Sequence, residues 1–269
     1  MNINLSELCP QVAAIAKQTG GYLRDELGKV KTTDISDKSL NNLVSYVDQT
    51  AEAQLVAALQ PLIPDAAFIT EENTIATEDK PWQWVIDPLD GTTNFLHQLP
   101  MFAVSIGLLY KGYPVLGVVY NAPLDECFTA WQGGGAYLNG QAIQVTNATK
   151  LQDTLIATGF PYDDFEREAG YMKTLQGFMH KTRGLRRMGS AAIDLAYTAA
   201  GRFGGFFEYS LQSWDVAAGI VLVREAGGIV SDFKGQHTNG FYWDEIIAAA
   251  PSIHAEMLEI IQPQFTEGF

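Results

Sequence analysis

The sequence predicts a mixed α/β protein, α+β in its first part and α/β in its second. Three patterns carry that prediction. Apolar residues recur at helical spacing near the N-terminus, β-type runs separated by turns begin at Met101, and beyond about Thr149 strand-like and helix-like segments alternate. The change near residue 150 divides the chain into parts spanning 1–150 and 151–269.

In order along the chain, Leu5, Leu8, Val12, Ile15, Ala16, Tyr22 and Leu23 mark an amphipathic first helix, not a signal peptide. The polar stretch 28–42 reads as an exposed, mobile loop or a hairpin. Ala51, Leu55, Ala58 and Leu59 give helical spacing over 47–62, and Pro61 marks its end. Short apolar strands at 67–69 and 82–86 deliver acids at their ends. Runs at 102–109, 113–120 and 126–131 predict consecutive antiparallel strands, with Lys111-Gly112 as the first turn. Gly133-Gly134-Gly135 and Asn139-Gly140 are turn chemistry that closes this meander. The second part predicts a strand at 154–158, helices at 166–181 and 190–200, and a strand at 205–209. A helix over 214–225 ends at Gly227-Gly228, and strands at 229–232 and 246–250 precede a last helix after Pro251.

The chain has 269 residues, 47% of them hydrophobic, enough for a large core. A formal net charge of -14 argues against nucleic acid as a partner, because phosphate-backbone affinity draws on a cationic surface. The same charge permits an anionic substrate where bound cations invert the local field. Cys9 and Cys127 stand far apart without a CxxC pattern, so two free thiols are expected. With no apolar run approaching ~20 residues, neither a membrane span nor a membrane partner is expected, and the protein reads as cytoplasmic. The histidines His97, His180, His237 and His254 lack metal-ligand spacing.

Several carboxylates stand at strand and helix ends. Glu71 and Glu72 follow Phe68-Ile69, Asp87 and Asp90 follow Trp84-Val85-Ile86, and Asp215 follows Ser213-Trp214. Clustered carboxylates repel, and a hard divalent cation such as Mg²⁺ removes the objection because it takes oxygen ligands. Within Asp87-Pro88-Leu89-Asp90-Gly91-Thr92, Pro88 stiffens the turn and the Leu89 carbonyl offers another oxygen. Gly91 permits close backbone approach, and Thr92 and Thr93 open a following helix, a natural place for phosphate. Alone, this segment equally fits a surface turn with two solvated acids and a helix cap.

Read together, Trp84-Val85-Ile86-Asp87-Pro88-Leu89-Asp90-Gly91-Thr92-Thr93-Asn94-Phe95 and Trp214-Asp215-Val216-Ala217-Ala218-Gly219 resemble the two signatures of the inositol monophosphatase family. Glu225-Ala226-Gly227-Gly228 completes the second, and the segments 43–48, 69–72, 159–162 and 189–191 agree. The resemblance implies a layered αβαβα sandwich of the inositol monophosphatase and fructose-1,6-bisphosphatase type, a homodimer, and two to three Mg²⁺ ions with a tendency to inhibition by lithium. Carried over by position, Glu71, Asp87 and the Leu89 carbonyl match the ligands of a first metal. Asp87, Asp90 and Asp215 match those of a second, and Glu71 helps to hold a third. Glu72 corresponds to an acid behind the ligands. Asp48 and Thr92 match the pair that orients the attacking water, and the amides of Gly91 and Thr92 match a phosphate grip. Gly189, Ser190, Ala191 and Glu208, with Asp90 and Asp215, match the wall that receives the organic half of the substrate.

The family often carries a lysine before Leu43. Here Lys38 is displaced from that place by one position. Arg186 and Arg187 read as salt-bridge or interface residues rather than phosphate ligands. The reaction implied is hydrolysis of inositol monophosphate by a metal-activated water, attacking in line and without a phosphoenzyme. Related phosphatases that act on 3′-phosphonucleotides, fructose bisphosphate, NADP or histidinol phosphate are the alternatives. A regulatory binding protein built on the same fold is a further one.

Overall fold

A computed structural model describes residues 3–31, 33, 35–39, 42–161, 165–237 and 244–265, with 35–39 and 42–43 described through their backbone alone. The first helix, α1 (Leu5–Glu26), starts at Asn4, whose side chain accepts from the Ser6 amide. The polar stretch after it contains a hairpin, β1 (Ile35–Ser39) paired antiparallel with β2 (Asn42–Ser45). Lys38 lies on β1, and its side chain is outside those described. Next comes α2 (Tyr46–Leu59), which ends two residues before Pro61 and opens on a capping box between Ser45 and Asp48.

The first sheet has seven strands in sequence order: β3 (Ala67–Thr70), β4 (Trp82–Asp90), β5 (Ala103–Tyr110), β6 (Tyr113–Asn121), β7 (Glu126–Trp131), β8 (Gly135–Leu138) and β9 (Gln141–Ile143). Only β3 and β4 run parallel. Two findings depart from expectation. The meander continues through β8 and β9 beyond the triple glycine, with Asn139 and Gly140 at φ 48° and 80° forming the hairpin turn between them. And β4 does not stop at Ile86. It runs through Asp90, with a register shift between Asp87↔Ser105 and Asp90↔Ala103 that accommodates Pro88. A short helix, α3 (Thr92–Leu96), follows β4.

The second part contributes β10 (Leu155–Thr158), α4 (Glu168–Lys181), β11 (Gly184–Arg186), α5 (Ala191–Ala199), β12 (Gly205–Tyr209), α6 (Ser213–Glu225), β13 (Ile229–Ser231), β14 (Glu245–Ala249) and α7 (Pro251–Phe265). Strand β11 carries too few residues to show a pattern and was not expected. The strands form a five-stranded sheet in the order β11-β10-β12-β14-β13.

Three apolar cores define the layers. One joins α1 and α2 to the first sheet through Val12, Leu55, Trp84 and Val118. The second, with Val119, Ile193, Leu195, Ile220, Phe206 and Ala248, joins α5 and α6 to both sheets. The third packs α4 and α7 on the outer face of the second sheet through Phe178, Phe207 and Met257. The order is therefore helix, sheet, helix, sheet, helix, the αβαβα sandwich. Because α5 and α6 are covered on both faces, they are apolar almost all round. Glycines let α6 lie close to the first sheet: a Cβ on Gly107 would stand 2.7 Å from the Ala217 Cβ, and one on Gly117 would overlap the Ala218 carbonyl. Among the described residues no helix is long and apolar enough to cross a membrane. Both cysteines are buried free thiols, and burial pushes Cys9 up to about 12.

Candidate active site

Four layers send residues to one place. Asp48 comes from the start of α2, Glu71 and Glu72 from the end of β3, and Asp87 to Thr92 from the end of β4 and the start of α3. Ser190 and Ala191 come from the start of α5, Glu208 from β12, and Asp215 from the start of α6.

Asp48 is buried and faces two ways. Its Oδ2 accepts from the Ser45 amide and hydroxyl, both at 2.8 Å. Its Oδ1 lies 3.1 Å from Thr92 Oγ1, which is also 3.0 Å from the Leu89 carbonyl, so one hydroxyl proton serves two acceptors. Burial raises the affinity of Asp48 for a proton against the opposing Ser45 and Thr92 hydrogen bonds. Asp87 Oδ1 accepts from the Leu89 amide at 2.9 Å. Asp90 Oδ2 accepts from Ser190 Oγ at 2.6 Å and from the Ala192 amide at 2.7 Å, which ties β4 to α5. Asp215 Oδ2 accepts from the Gln212 amide at 2.6 Å.

The acids act on one another. Burial first, then the charges of Glu71, Asp90 and Asp215, hold Asp87 well above the usual carboxylate range. Burial pushes Asp90 up to about 6, with Glu71 adding to it. Asp215 is raised by burial and then by Asp90. Such a donor set is costly in water-poor surroundings and suits a hard cation that shares it. The chemistry of these oxygens, with the Leu89 carbonyl among them, fits Mg²⁺. Among the described residues, no group of three or more His, Cys, Asp or Glu side chains stands as a ready metal cage. The hydrogen bonds above explain part of that: each of Asp87, Asp90 and Asp215 has one oxygen engaged by backbone or hydroxyl donors, so the cluster is not built from acids facing one point alone.

The end of the site around Gly91 is shaped by backbone. Gly91 adopts φ 94°, and a Cβ there would come within 2.9 Å of the Met101 carbonyl and 3.1 Å of the Gly189 carbonyl, so both conformation and space require glycine. Asn94, which no role in the sequence reading covered, knits the same walls: its Nδ2 lies 2.7 Å from the Met101 carbonyl and 2.9 Å from the Met188 carbonyl. Gly189 turns at φ 83° beside the Arg187 guanidinium. Glu208 is buried against Gly159, where a Cβ would overlap its carboxylate. Burial and then Asp215 raise Glu208, and Arg187 opposes them. Arg187 also lies over the Phe160 ring at 5.3 Å, within electrostatic reach of Glu208 and Asp194. Arg186 donates to the Leu185 carbonyl. A buried acid outside the sequence motifs is Asp194 on α5: among the described residues its Oδ1 has no hydrogen-bond partner, and burial with the Glu208 charge raises it. His254 is remote from this chemistry, bonded to Ser231 Oγ at 2.7 Å and stacked on His237.

The sequence profile of the inositol monophosphatase family matches residues 4–265. The chain belongs to the inositol monophosphatase family. It is 43% identical to an inositol-1-monophosphatase of Mesorhizobium japonicum over 86% of this chain and 87% of that one. It is 42% identical to the Nus factor SuhB of Escherichia coli K12, over 94% of this chain and 95% of the relative. Among solved structures, the IMPase of Thermotoga maritima superposes with a TM-score of 0.85 at 32% identity, covering 95% of this chain and 96% of that one. Phosphate-ester hydrolysis is the activity of the inositol monophosphatase family, with metal ions its usual cofactors. Both agree with an acid cluster beside a glycine-lined turn.

Proposed function

We propose that this chain is a Mg²⁺-dependent phosphomonoesterase that hydrolyses inositol monophosphate to inositol and phosphate. One observation carries the reading: the Asp48–Thr92 hydrogen bond at 3.1 Å adjoins the mutually interacting acids Asp87, Asp90 and Asp215. Glu71, Asp87 and the Leu89 carbonyl would hold one Mg²⁺, and Asp87, Asp90 and Asp215 a second, with Glu71 helping a third. When bound, the ions supply positive charge that neutralises the phosphate and makes water more acidic.

The chain's own residues do the rest. With its O–H donated to Asp48, Thr92 Oγ1 presents lone pairs that accept from a water and fix its direction. Asp48, whose burial raises its proton affinity, is the acceptor behind it. The amides of Gly91 and Thr92 grip phosphate oxygens, and the left-handed turn at Gly91 lets the phosphate approach the backbone. Ser190 and the Ala192 amide hold Asp90, so that Gly189, Ser190, Ala191 and Glu208 form one wall for the organic half. Acceptors such as Glu208 and Asp90 suit a polyol, whose hydroxyls donate. We infer that water attacks directly, since positioning and charge neutralisation supply the catalysis.

The division at residue 150 puts most metal ligands in 1–150, and the pocket wall with Asp215 in 151–269. Met172 and Met179, seven residues apart on α4, and Phe165 just before it are each about half exposed or more, and such side chains are what a homodimer would cover. Phosphate release from a panel of phosphomonoesters, with Mg²⁺ and with or without Li⁺, tests the activity. Preference for inositol monophosphate is the expected result; NADP, fructose bisphosphate, histidinol phosphate or a 3′-phosphonucleotide as the best substrate would reassign the specificity, and no Mg²⁺-dependent release from any ester would sink the enzyme reading. The relatives named Nus factor favour a second reading, in which the same fold also contacts a regulatory partner.

A further inference from the structure

The loop that carries Glu71 is clamped by an acid outside every motif. Glu52 lies on α2, four residues after Asp48, and is fully buried. Its Oε2 accepts from the Glu72 amide at 2.7 Å, and its Oε1 from the Thr74 amide at 2.8 Å and Thr74 Oγ1 at 2.7 Å. Between those donors Asn73 turns at φ 54°, its Nδ2 donating to the Glu71 carbonyl at 3.2 Å. On the near side the Glu71 amide donates to the Ile86 carbonyl at 3.3 Å, one residue before Asp87. Glu71 is thus pinned between a strand end and a carboxylate clamp.

Two features set this apart from ordinary loop packing. A buried carboxylate carries a desolvation cost of several kcal/mol, which a neutral acceptor would avoid. And Asp48 and Glu52 are acids four apart on one helix, a spacing that places like charges on one face at a cost to the helix. Those two acids reach the two turns of the site: Asp48 holds Thr92 after β4, and Glu52 holds the loop after β3. One helix therefore sets the two turns against each other.

We infer that Glu52 is a positioning residue that fixes the approach of Glu71 to the acid cluster, places one more negative charge behind it, and so sets the affinity for divalent cations. The inference rests on the metal-dependent reading above. Partners that orient metal ligands from behind typically control affinity by 10- to 100-fold.

The test uses the full chain. Mn²⁺ binding is followed by electron paramagnetic resonance, Mg²⁺ half-saturation by phosphate release, and the Glu72 and Thr74 amides by hydrogen exchange. Glu52→Gln should weaken Mn²⁺ binding about 10-fold or more and raise Mg²⁺ half-saturation by the same factor. It should speed exchange at both amides and leave KM for the ester at saturating Mg²⁺ unchanged. A merely structural role would lower thermal stability without that split. Should Glu52→Gln fail to fold, Thr74→Val removes one of the three donors and should weaken Mn²⁺ binding about threefold, while Thr74→Ser keeps the donor and should match the wild type. Binding by whichever folded variant is measured that equals the wild type overturns the inference alone. A wild type that binds no divalent cation overturns the metal-dependent reading as well.

Discussion

Substituting Gly107 tests whether the contact between α6 and the first sheet places Asp215. Gly107 is on β5, and a Cβ there would sit 2.7 Å from the Ala217 Cβ and 3.2 Å from the Ala218 amide nitrogen. Carbon atoms in contact settle at about 3.5–4.0 Å, so Gly107→Ala forces α6 back by about 1 Å. Overpacking of this size costs about 1–3 kcal/mol, or roughly 2–6 °C in melting temperature for a chain of this length. Asp215 lies two residues before Ala217, at the end of α6 that meets the acids. A 1 Å displacement there should lower kcat by about 100-fold. Gly112→Ala is the control: Gly112 has φ 78° but nothing near its Cβ position, so it should lose about 1 kcal/mol through strain with kcat unchanged. Thermal unfolding and steady-state phosphate release on both variants decide the matter. If Gly107→Ala keeps kcat within threefold of the wild type, the close approach does not position Asp215.

Asp90→Asn retains an oxygen for Ser190 and the Ala192 amide while removing the charge, so it should lower turnover at least about 100-fold with a melting temperature near that of the wild type. Turnover within a few-fold would remove Asp90 from the metal set. Thr92→Val should cut kcat by about 100-fold with KM little changed, and Thr92→Ser should restore most of it; equal losses in both would point to packing rather than the hydroxyl. Burial, followed by the neighbouring His237, lowers His254 from 6.5 to about 4. The unfolded chain then binds the extra proton between those values, so stability is complete above about pH 6.5 and is lost as pH falls toward 4, by on the order of 2 kcal/mol after allowance for screening. Denaturant unfolding across pH 4–7 checks this, and a His254→Asn slope equal to the wild-type slope would clear His254 of the effect.

The periodicity of the chain made most elements legible, because one face of α1 and of α2 is buried and the strands of the meander are long. What it could not show followed from length and from layering. Strands β8, β9 and β11 have four residues or fewer and are only partly buried, so they lack the apolar run that marks the equally short β3, β10 and β13. Asn139-Gly140 is a hairpin signal that joins β8 to β9 rather than ending the meander. The apolar run reads as a strand ending at Ile86, ahead of a turn stiffened by Pro88; the structure carries the strand on, with the proline at a bulge. That α5 and α6 lie between the sheets was visible only as their lack of a polar face. Asp87, Asp90 and Asp215 were legible in the two long motifs and Asp48 and Glu71 in the shorter segments that agree with them, whereas Glu52, Asp194 and the bracing role of Asn94 were not. Glu52 and Asn94 act through contacts with segments distant in sequence, and a glutamate at a helical position looks like a solvated one until the loop above it is known.

The acids of the site also hold the fold that presents them. Asp48 occupies the third position of α2, where Oδ2 satisfies the Ser45 amide of a capping box, and Oδ1 meets Thr92. Asp215 occupies the same position in α6 and satisfies the Gln212 amide. Both therefore sit where the positive end of a helix favours a carboxylate, which offsets part of the repulsion from their neighbours. Asp90 joins β4 to α5 through Ser190 and Ala192, and Asp87 braces the Leu89 amide within its own bulge. Asp48, Asp87, Asp90 and Asp215 are each anchored by a backbone donor at their own element or the next, so none of the four swings away from its neighbours without breaking such a bond. A cation of the kind proposed above would offset the repulsion that those bonds hold in place.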